Sequence, residues 1–243
     1  MEIKGKALKI KTIKTALKNS YGNNKKKEGF DGYEPVDALT DTESQVYYNP
    51  ETKQAIVTHR GTQSLGDVFQ DYTFATRGYK GRRFKKADKV QKEAERLYGA
   101  NNVTTLGHSL GSLISSEVGK NSKEIINYNK PIVPFYGKKQ ENEYNIKTSN
   151  DPFSWFYKKK EDDKNKTIAS NTYNPVTEHS ITKLDELDPD EMIGKGLKVK
   201  EMKEMIKLYN KGIKTNKIKY GKMKKKELQN TIILLKQRNV PIL

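Results

Sequence analysis

Apolar side chains recur at helical spacing in two stretches of the chain. In residues 1–20, six lysines stand mostly between the members of one apolar face, which are Ile3, Ala7, Ile10, Ile13 and Leu17. In residues 83–99, a second apolar face is formed by Phe84, Ala87, Val90, Ala94 and Leu97. Both patterns predict amphipathic helices, and Gly99 is a typical residue for the end of the second helix.

Short apolar or alternating runs separate these helical patterns and predict strands. The segments SQVYY and QAIVTH flank the turn NPETK and predict a β-hairpin. Further strands are predicted at 103–108, 125–129 and 143–149, and a helix is predicted directly after residue 109. Strands that alternate with helices in this order are typical of an α/β fold with a largely parallel sheet.

The character of the chain changes at both ends. Residues 21–34 are rich in glycine, asparagine and lysine, and we interpret them as a linker after the first helix. After about residue 188 the sequence contains no strand pattern, and two basic helices are predicted near 198–211 and 224–238. We therefore expect a basic N-terminal segment (1–34), an α/β domain (35–187) and a basic helical C-terminal extension (188–243).

Composition restricts the classes of partner and compartment. The net charge of +17 predicts an anionic partner, which could be nucleic acid, an acidic membrane surface or an acidic protein. The absence of cysteine excludes disulfides, cysteine-ligated zinc and a thiol nucleophile. The N-terminus lacks the apolar core of a secretory signal, and no stretch is apolar for the roughly 20 residues of a membrane span. We expect a cytoplasmic or particle-associated protein.

The sequence GHSLG at 107–111 is the candidate for chemistry. A serine between two glycines, after a buried strand and before a helix, is typical of the nucleophile elbow of serine hydrolases. An ordinary turn between strand and helix is the alternative. If the elbow interpretation is correct, Ser109 is the nucleophile and needs a base oriented by a carboxylate.

The chain has only three histidines, so the candidate base can be chosen by elimination. His108 lies inside the elbow and His59 ends an earlier strand, so His179 remains as the base. The triad order in α/β-hydrolase sheets is serine, acid, histidine, which His179 fits.

Asp151 follows an alternating strand in the turn Asn-Asp-Pro and is the candidate acid, although it could be a plain turn carboxylate. Asp162 and Asp163 lie in a charged stretch that we interpret as a solvated loop.

An oxyanion hole needs two hydrogen-bond donors. The backbone N–H of Leu110 follows the nucleophile and is the first candidate. The loop HRGT after the strand at 54–59 offers Thr62 as the second, although R-G-T alone could be a simple β-turn.

These motifs together resemble the class 3 lipases, which have an α/β-hydrolase fold. The resemblance covers roughly residues 35–185 and rests on HRGT, GHSLG, the NDP turn and the late histidine. It implies Ser109, Asp151 and His179 as a catalytic triad, with Thr62 and Leu110 as oxyanion donors. Asp67 and Asp71 match acidic positions after the R-G-T loop, which we interpret as structural.

The chain also departs from that family. His59 replaces an aromatic residue before R-G, and Ser112 replaces a third glycine of the elbow. The only lid candidate, residues 70–83, is basic. A phospholipid acyl ester or a small ester therefore fits better than a long-chain triglyceride, and we expect no metal or cofactor.

The sequence thus predicts a serine carboxylic ester hydrolase whose basic ends meet an anionic membrane surface. Two alternatives remain at this stage. A catalytically weak lipase-fold scaffold or particle component could use its basic ends to bind nucleic acid or protein. A hydrolase whose basic ends contact a protein partner is the other.

Overall fold

We describe the protein from a computed structural model. The described residues are 7–22, 28–62, 81–131, 139–154 and 164–194, together with Lys203, Asn210, Lys219 and Lys222. The chain divides into two compact units, Leu8–Lys195 and a second unit formed by Met1–Ala7 and Gly196–Leu243. Almost all of the second unit, including the basic helices predicted at 198–211 and 224–238, lies outside the described residues. The division at 34 and 187 stays a prediction.

A seven-stranded sheet forms the centre of the Leu8–Lys195 unit. Its strands lie side by side in sequence order: β2 (Glu34–Pro35), β3 (Ser44–Asn49), β4 (Gln54–His59), β5 (Val103–His108), β6 (Glu124–Tyr128), β7 (Glu143–Thr148) and β8 (Asn165–Ile168). Strands β4 to β8 are parallel, and β2 and β3 add an antiparallel edge. The predicted α/β class with a largely parallel sheet is therefore confirmed.

Helix α1 (Ile10–Ser20) covers one face of the sheet. Its fully buried residues Ile10, Ile13 and Leu17 pack in one cluster with Ile56, Leu106 and other strand residues. The apolar face expected from the sequence is therefore a core face. The helix lies within the same compact unit as the sheet, and Tyr21, which we interpreted as the start of a linker, directly follows it.

The first helix is shorter than predicted. Residues Leu8–Lys9 form strand β1, which pairs antiparallel with β9 (Met192–Ile193), so the chain is extended where the pattern predicted helix. The helix begins at Ile10, whose N–H bonds the carbonyl of Glu191 at 2.9 Å. A two-residue strand is too short to produce a period in the sequence, so neither β1 nor β9 was predictable.

Helices α2 (Arg82–Tyr98) and α3 (Leu110–Val118) lie on the opposite face. Ala94 of α2 packs on Val57 and Val103, and Phe84 and Ala87 pack on Ile114 of α3. The predicted helix 83–99 is confirmed, including its end at Gly99, which has a φ of 80°. Leu97 was wrongly assigned to its buried face and is 49% exposed, because in the last turn it is Tyr98 that packs on the sheet, with its ring stacked on that of Tyr48.

Strand β8 was not predicted. Its sequence NKTI is half-exposed at the edge of the sheet and carries no apolar alternation, because only Ile168 reaches the core. The neighbouring Asp162 and Asp163 lie outside the described residues, as do Asp67, Asp71 and residues 70–80 of the lid candidate. Within the described parts of the chain, no helix is long and apolar enough to cross a bilayer.

Candidate active site

The candidate residues come together at one edge of the sheet. Thr62 follows β4, Ser109 follows β5, Asp151 follows β7 and His179 follows β8 at the end of the short helix α4 (Pro175–His179). Because these four strands are parallel, their carboxyl ends lie at the same edge, where α/β sheets place their ligand sites.

Ser109 has a strained backbone. It lies between β5 and α3 with φ 56° and ψ −130°, a conformation that residues with a side chain rarely adopt. A serine held this way on a tight strand-to-helix turn is the geometry of a nucleophile elbow. The neighbouring hydrogen bond from Ser112 N–H to the Ser109 carbonyl, at 2.8 Å, begins the helix.

The two glycines of GHSLG are required by space. A Cβ on Gly107 would lie 2.6 Å from the Cα of Ser112, and a Cβ on Gly111 would lie 2.7 Å from the backbone carbon of Arg60. Both contacts are with backbone, which cannot move aside as a flexible side chain can. Glycine is therefore needed at both positions because α3 packs closely against β4 and β5.

His179 and Asp151 form a buried pair. His179 Nδ1 lies 2.9 Å from Asp151 Oδ1, and the two side chains are 4% and 0% exposed. Asp151 also accepts a hydrogen bond from Ser154 Oγ at 2.6 Å and one from Phe153 N–H at 3.3 Å. A carboxylate only accepts, so Nδ1 carries a proton, and in the neutral form of the ring Nε2 is then an acceptor.

Ser109 Oγ and His179 Nε2 are both buried without a hydrogen-bond partner. The structure therefore brings acid and base into contact and sets the serine in the same cavity, but the hydrogen bond between serine and histidine is not formed. Such bonds are often long before substrate binds. The serine hydroxyl and the histidine nitrogen are thus two of the few buried side-chain polar atoms among the described residues that lack a partner, and both belong to residues that line this cavity.

The two candidate oxyanion donors lie beside Ser109. Leu110 is the first residue of α3, so its N–H has no acceptor within the helix. Thr62 lines the same cavity as Ser109. Arg83 anchors the loop before Thr62, because its guanidinium donates to the carbonyls of Arg60 and Gly61, the latter at 3.1 Å.

The other two histidines are buried in the core and stay neutral. Burial lowers the pKa of His59 to about 4, and its ring bonds Ser44 Oγ at 2.9 Å and Gln91 Oε1 at 3.4 Å. Burial, with the nearby His179, lowers the pKa of His108 to about 3. Each of these two rings has a hydrogen-bond partner at both nitrogens, so neither presents an unpartnered nitrogen to Ser109.

A cavity of about 330 Å³ opens above the site. Its described lining contains no acidic side chain and consists of Lys14, Lys18, Tyr21, Thr62, His108, Ser109, Val176, His179, Ser180, Ile181 and Thr182. Lys14 is paired with Asp185, whereas Lys18 is exposed at the rim. No group of His, Asp and Glu side chains among the described residues is placed to hold a metal ion.

The sequence analysis missed three residues that support the site. Tyr21 lines the cavity, Arg83 holds the loop before Thr62, and Ser154 bonds the acid. Only Ser154 had a usable signal, because it lies three residues after Asp151 in the same turn. Tyr21 directly follows α1 and Arg83 lies in the first turn of α2, and the apolar pattern of a helix predicts its packing but not the polar contacts at its ends.

Two fungal lipases of known structure are similar to the chain. Lip2 lipase from Yarrowia lipolytica is 16% identical with a TM-score of 0.42, over 61% of this chain and 75% of that one. The Rhizomucor miehei lipase propeptide complex is 11% identical with a TM-score of 0.41, over 61% of this chain and 62% of that one. No family model and no curated protein sequence matches. At this identity the similarity concerns the fold alone.

Proposed function

We propose that the protein is a serine hydrolase of carboxylic esters. The observation that carries the proposal is the buried Asp151–His179 pair, whose unpartnered Nε2 shares a cavity with the unpartnered hydroxyl of Ser109. Burying two polar atoms without partners costs about 1–3 kcal/mol each. A function at this site would explain why the fold retains these destabilising groups. The strained backbone of Ser109 is a second destabilising feature at the same site.

In the proposed reaction, Ser109 Oγ attacks the ester carbonyl carbon and its proton passes to His179 Nε2. Asp151 stays ionised, holds Nδ1–H and stabilises the imidazolium that forms. The carbonyl oxygen, now negative, accepts hydrogen bonds from the N–H of Leu110 and from Thr62 at the positive N-terminal end of α3.

The acyl-enzyme then forms and is hydrolysed. The C–O bond to the alcohol breaks, and the alcohol leaves with the proton from His179 Nε2. A water molecule next gives a proton to Nε2 and attacks the acyl carbon, and collapse of the second intermediate returns the proton to Ser109. The residues needed are those of this chain, and the scheme requires no cofactor.

We propose a lipid or phospholipid acyl ester as the substrate class. The cavity supports this because its lining includes the apolar side chains of Val176 and Ile181 and the exposed, basic Lys18. Val176 is 61% exposed and offers apolar surface at the rim. A short acyl chain beside an anionic head group suits this lining, and the net charge of +17 favours an anionic surface as the place of action.

Steady-state hydrolysis of a short-chain p-nitrophenyl ester tests the proposal. We expect turnover by the wild type and a fall in kcat of about 10⁴-fold or more in Ser109→Ala and of about 10³–10⁴-fold in Asp151→Asn. The isosteric Asp151→Asn keeps the shape of the buried pair. Equal rates for the wild type and Ser109→Ala, both folded, would exclude Ser109 as the nucleophile.

A further inference from the structure

Tyr21 joins helix α1 to the candidate site. It directly follows α1, and its ring stands edge-on to that of His108, with centroids 5.6 Å apart. The hydroxyl makes two hydrogen bonds, at 2.7 Å with His108 Nδ1 and at 2.8 Å with the N–H of Gly61. A residue close to the start of the chain therefore contacts two loops of the site.

The direction of each bond follows from the chemistry of its partners. His108 Nε2 lies 2.8 Å from the backbone carbonyl of His179, which only accepts, so Nε2 carries the proton. Burial lowers the pKa of His108 to about 3, so the ring is neutral and Nδ1 is an acceptor. Tyr21 must then donate to Nδ1, and burial raises its own pKa to about 12, which keeps that proton in place.

The result is a one-way chain of three hydrogen bonds. Gly61 N–H donates to the Tyr21 oxygen, Tyr21 O–H donates to His108, and His108 N–H donates to the His179 carbonyl. Besides Tyr21, the three residues of the chain are each adjacent in sequence to a proposed site residue or are one. Gly61 precedes Thr62, His108 precedes Ser109, and His179 is the proposed base.

Space around Gly61 makes the arrangement tight. A Cβ at this position would lie 2.5 Å from the Tyr21 oxygen, 2.8 Å from the His108 carbonyl oxygen and 2.8 Å from the Cβ of Ser109. The loop before Thr62 therefore lies directly against the elbow, and the Tyr21 hydroxyl fills the gap between them. Removing the hydroxyl leaves a buried N–H and a buried ring nitrogen without partners.

We infer that Tyr21 is a positioning residue for catalysis. This inference rests on the proposed function, because it assigns Tyr21 the task of fixing the oxyanion loop, the elbow and the His179 backbone relative to one another. Tyr21 donates its proton within the chain and takes no part in bond making. Oxyanion donors and base must be held within a fraction of an ångström, and a displacement of about 1 Å can cost about 10²-fold in rate.

The test compares Tyr21→Phe with Tyr47→Phe. Tyr47 is a matched control because it is also buried, and its hydroxyl donates to Gln45 Oε1 at 2.8 Å, outside the chain of three bonds. With a short-chain ester, we expect Tyr21→Phe to lower kcat by about ten-fold or more with KM within two-fold. Tyr47→Phe should leave kcat and KM unchanged, while its Tm should fall by about as much as that of Tyr21→Phe.

A second measurement does not depend on turnover. In amide hydrogen exchange of the full chain, Tyr21→Phe should speed exchange at Gly61 and in the segment around His179, each by about ten-fold. The Gly61 N–H loses its acceptor, and the His179 segment is held by a His108 ring that has lost its bond to Tyr21. Tyr47→Phe should leave these segments unchanged. Exchange unchanged in Tyr21→Phe, or a kcat equal to that of Tyr47→Phe, overturns the inference. Loss of turnover in the wild type with faster exchange in Tyr21→Phe would instead contradict the proposed function and retain the positional role of Tyr21.

Discussion

The three histidines of the chain have the same side chain and three different environments. His59 and His108 are buried with partners at both ring nitrogens, and burial lowers the pKa of each. His179 has a carboxylate at Nδ1 and an unpartnered Nε2 beside Ser109. The residue that can accept a proton from a nucleophile is therefore distinguished by its partners.

The buried His59 predicts a pH dependence of stability. Its pKa is about 4 in the folded state and near 6.5 in the unfolded chain, so below pH 6.5 the unfolded state binds a proton that the folded state does not. Stability is therefore full above about pH 6.5 and falls as the pH drops toward 4. We expect His59 alone to account for a loss of about 2 kcal/mol between pH 7 and pH 5.

Urea unfolding of the wild type and His59→Gln at pH 7 and pH 5 measures this effect. The variant is expected to be less stable at pH 7, yet to lose about 2 kcal/mol less than the wild type between the two pH values. His108 supplies part of the remaining dependence in both proteins. An identical pH dependence in the two proteins would show that folding does not lower the pKa of His59.

At the residue scale, the sequence could offer five candidates because their types and order are informative, namely Ser109, Asp151, His179, Thr62 and Leu110, and their roles stay predictions. Serine between glycines requires a tight turn, and only one of three histidines lay in the expected place. The hydroxyl of Tyr21 could not be assigned, because its partners lie 40 and 87 positions away along the chain. Long-range polar contacts leave no periodic signal.

At the scale of elements, the elbow depends on how closely α3 approaches β4. The backbone at His59 and Arg60 occupies the space where any side chain at position 111 would begin. Overpacking against backbone costs more than against a side chain, because the strand would have to shift within the sheet.

Gly111→Ala should therefore destabilise the protein by about 3 kcal/mol or more, measured as the free energy of unfolding in urea. Gly99→Ala is the control at another helix end. Gly99 has a φ of 80°, and its nearest contact with a new Cβ would be at 3.5 Å, so the cost comes from the backbone conformation alone and we expect about 1–2 kcal/mol. Equal costs for the two variants would show that the approach of α3 to β4 is looser than described.

Elements with a clear period were predicted well, and elements without one were not. The parallel strands β5 to β7 and helix α2 follow apolar patterns that burial on the sheet demands. Strand β8 and the β1–β9 pair are held by backbone hydrogen bonds between short or polar segments. Pairing of this kind depends on neighbours that a single stretch of sequence does not reveal.

For the whole molecule, the excess of basic residues is the feature that the candidate site does not explain. The chain carries 47 Lys and Arg against 30 Asp and Glu. Several lysines are used within the fold, including the buried pairs Lys130–Glu143 and Lys123–Glu124. Most of the basic C-terminal segment predicted at 188–243 lies outside the described residues, whereas helix α1 of the N-terminal segment is described and packs in the core. The partner of the basic ends is therefore a proposal based on charge.

We predict that the full chain binds vesicles containing phosphatidylglycerol and that this binding weakens steeply as salt rises from 50 to 500 mM. Screening of surface charge is the reason, since the Debye length falls from roughly 14 Å to about 4 Å over this range. Co-sedimentation with anionic and with neutral phosphatidylcholine vesicles measures it. Retardation of DNA in a gel, measured over the same salt series, tests the competing partner. Binding to DNA and not to anionic vesicles would favour the alternative of a nucleic-acid-binding scaffold.

The most direct test of the central claim is labelling by a fluorophosphonate, which reacts with serines activated by a neighbouring base. The experiment compares the wild type, Ser109→Ala, His179→Ala and Ser112→Ala, the last being a change at a buried serine three residues after Ser109. We predict a label mapped to Ser109 in the wild type and Ser112→Ala, and no label in the other two. A folded wild type that stays unlabelled with and without anionic vesicles, or a label that persists in Ser109→Ala, would contradict the account.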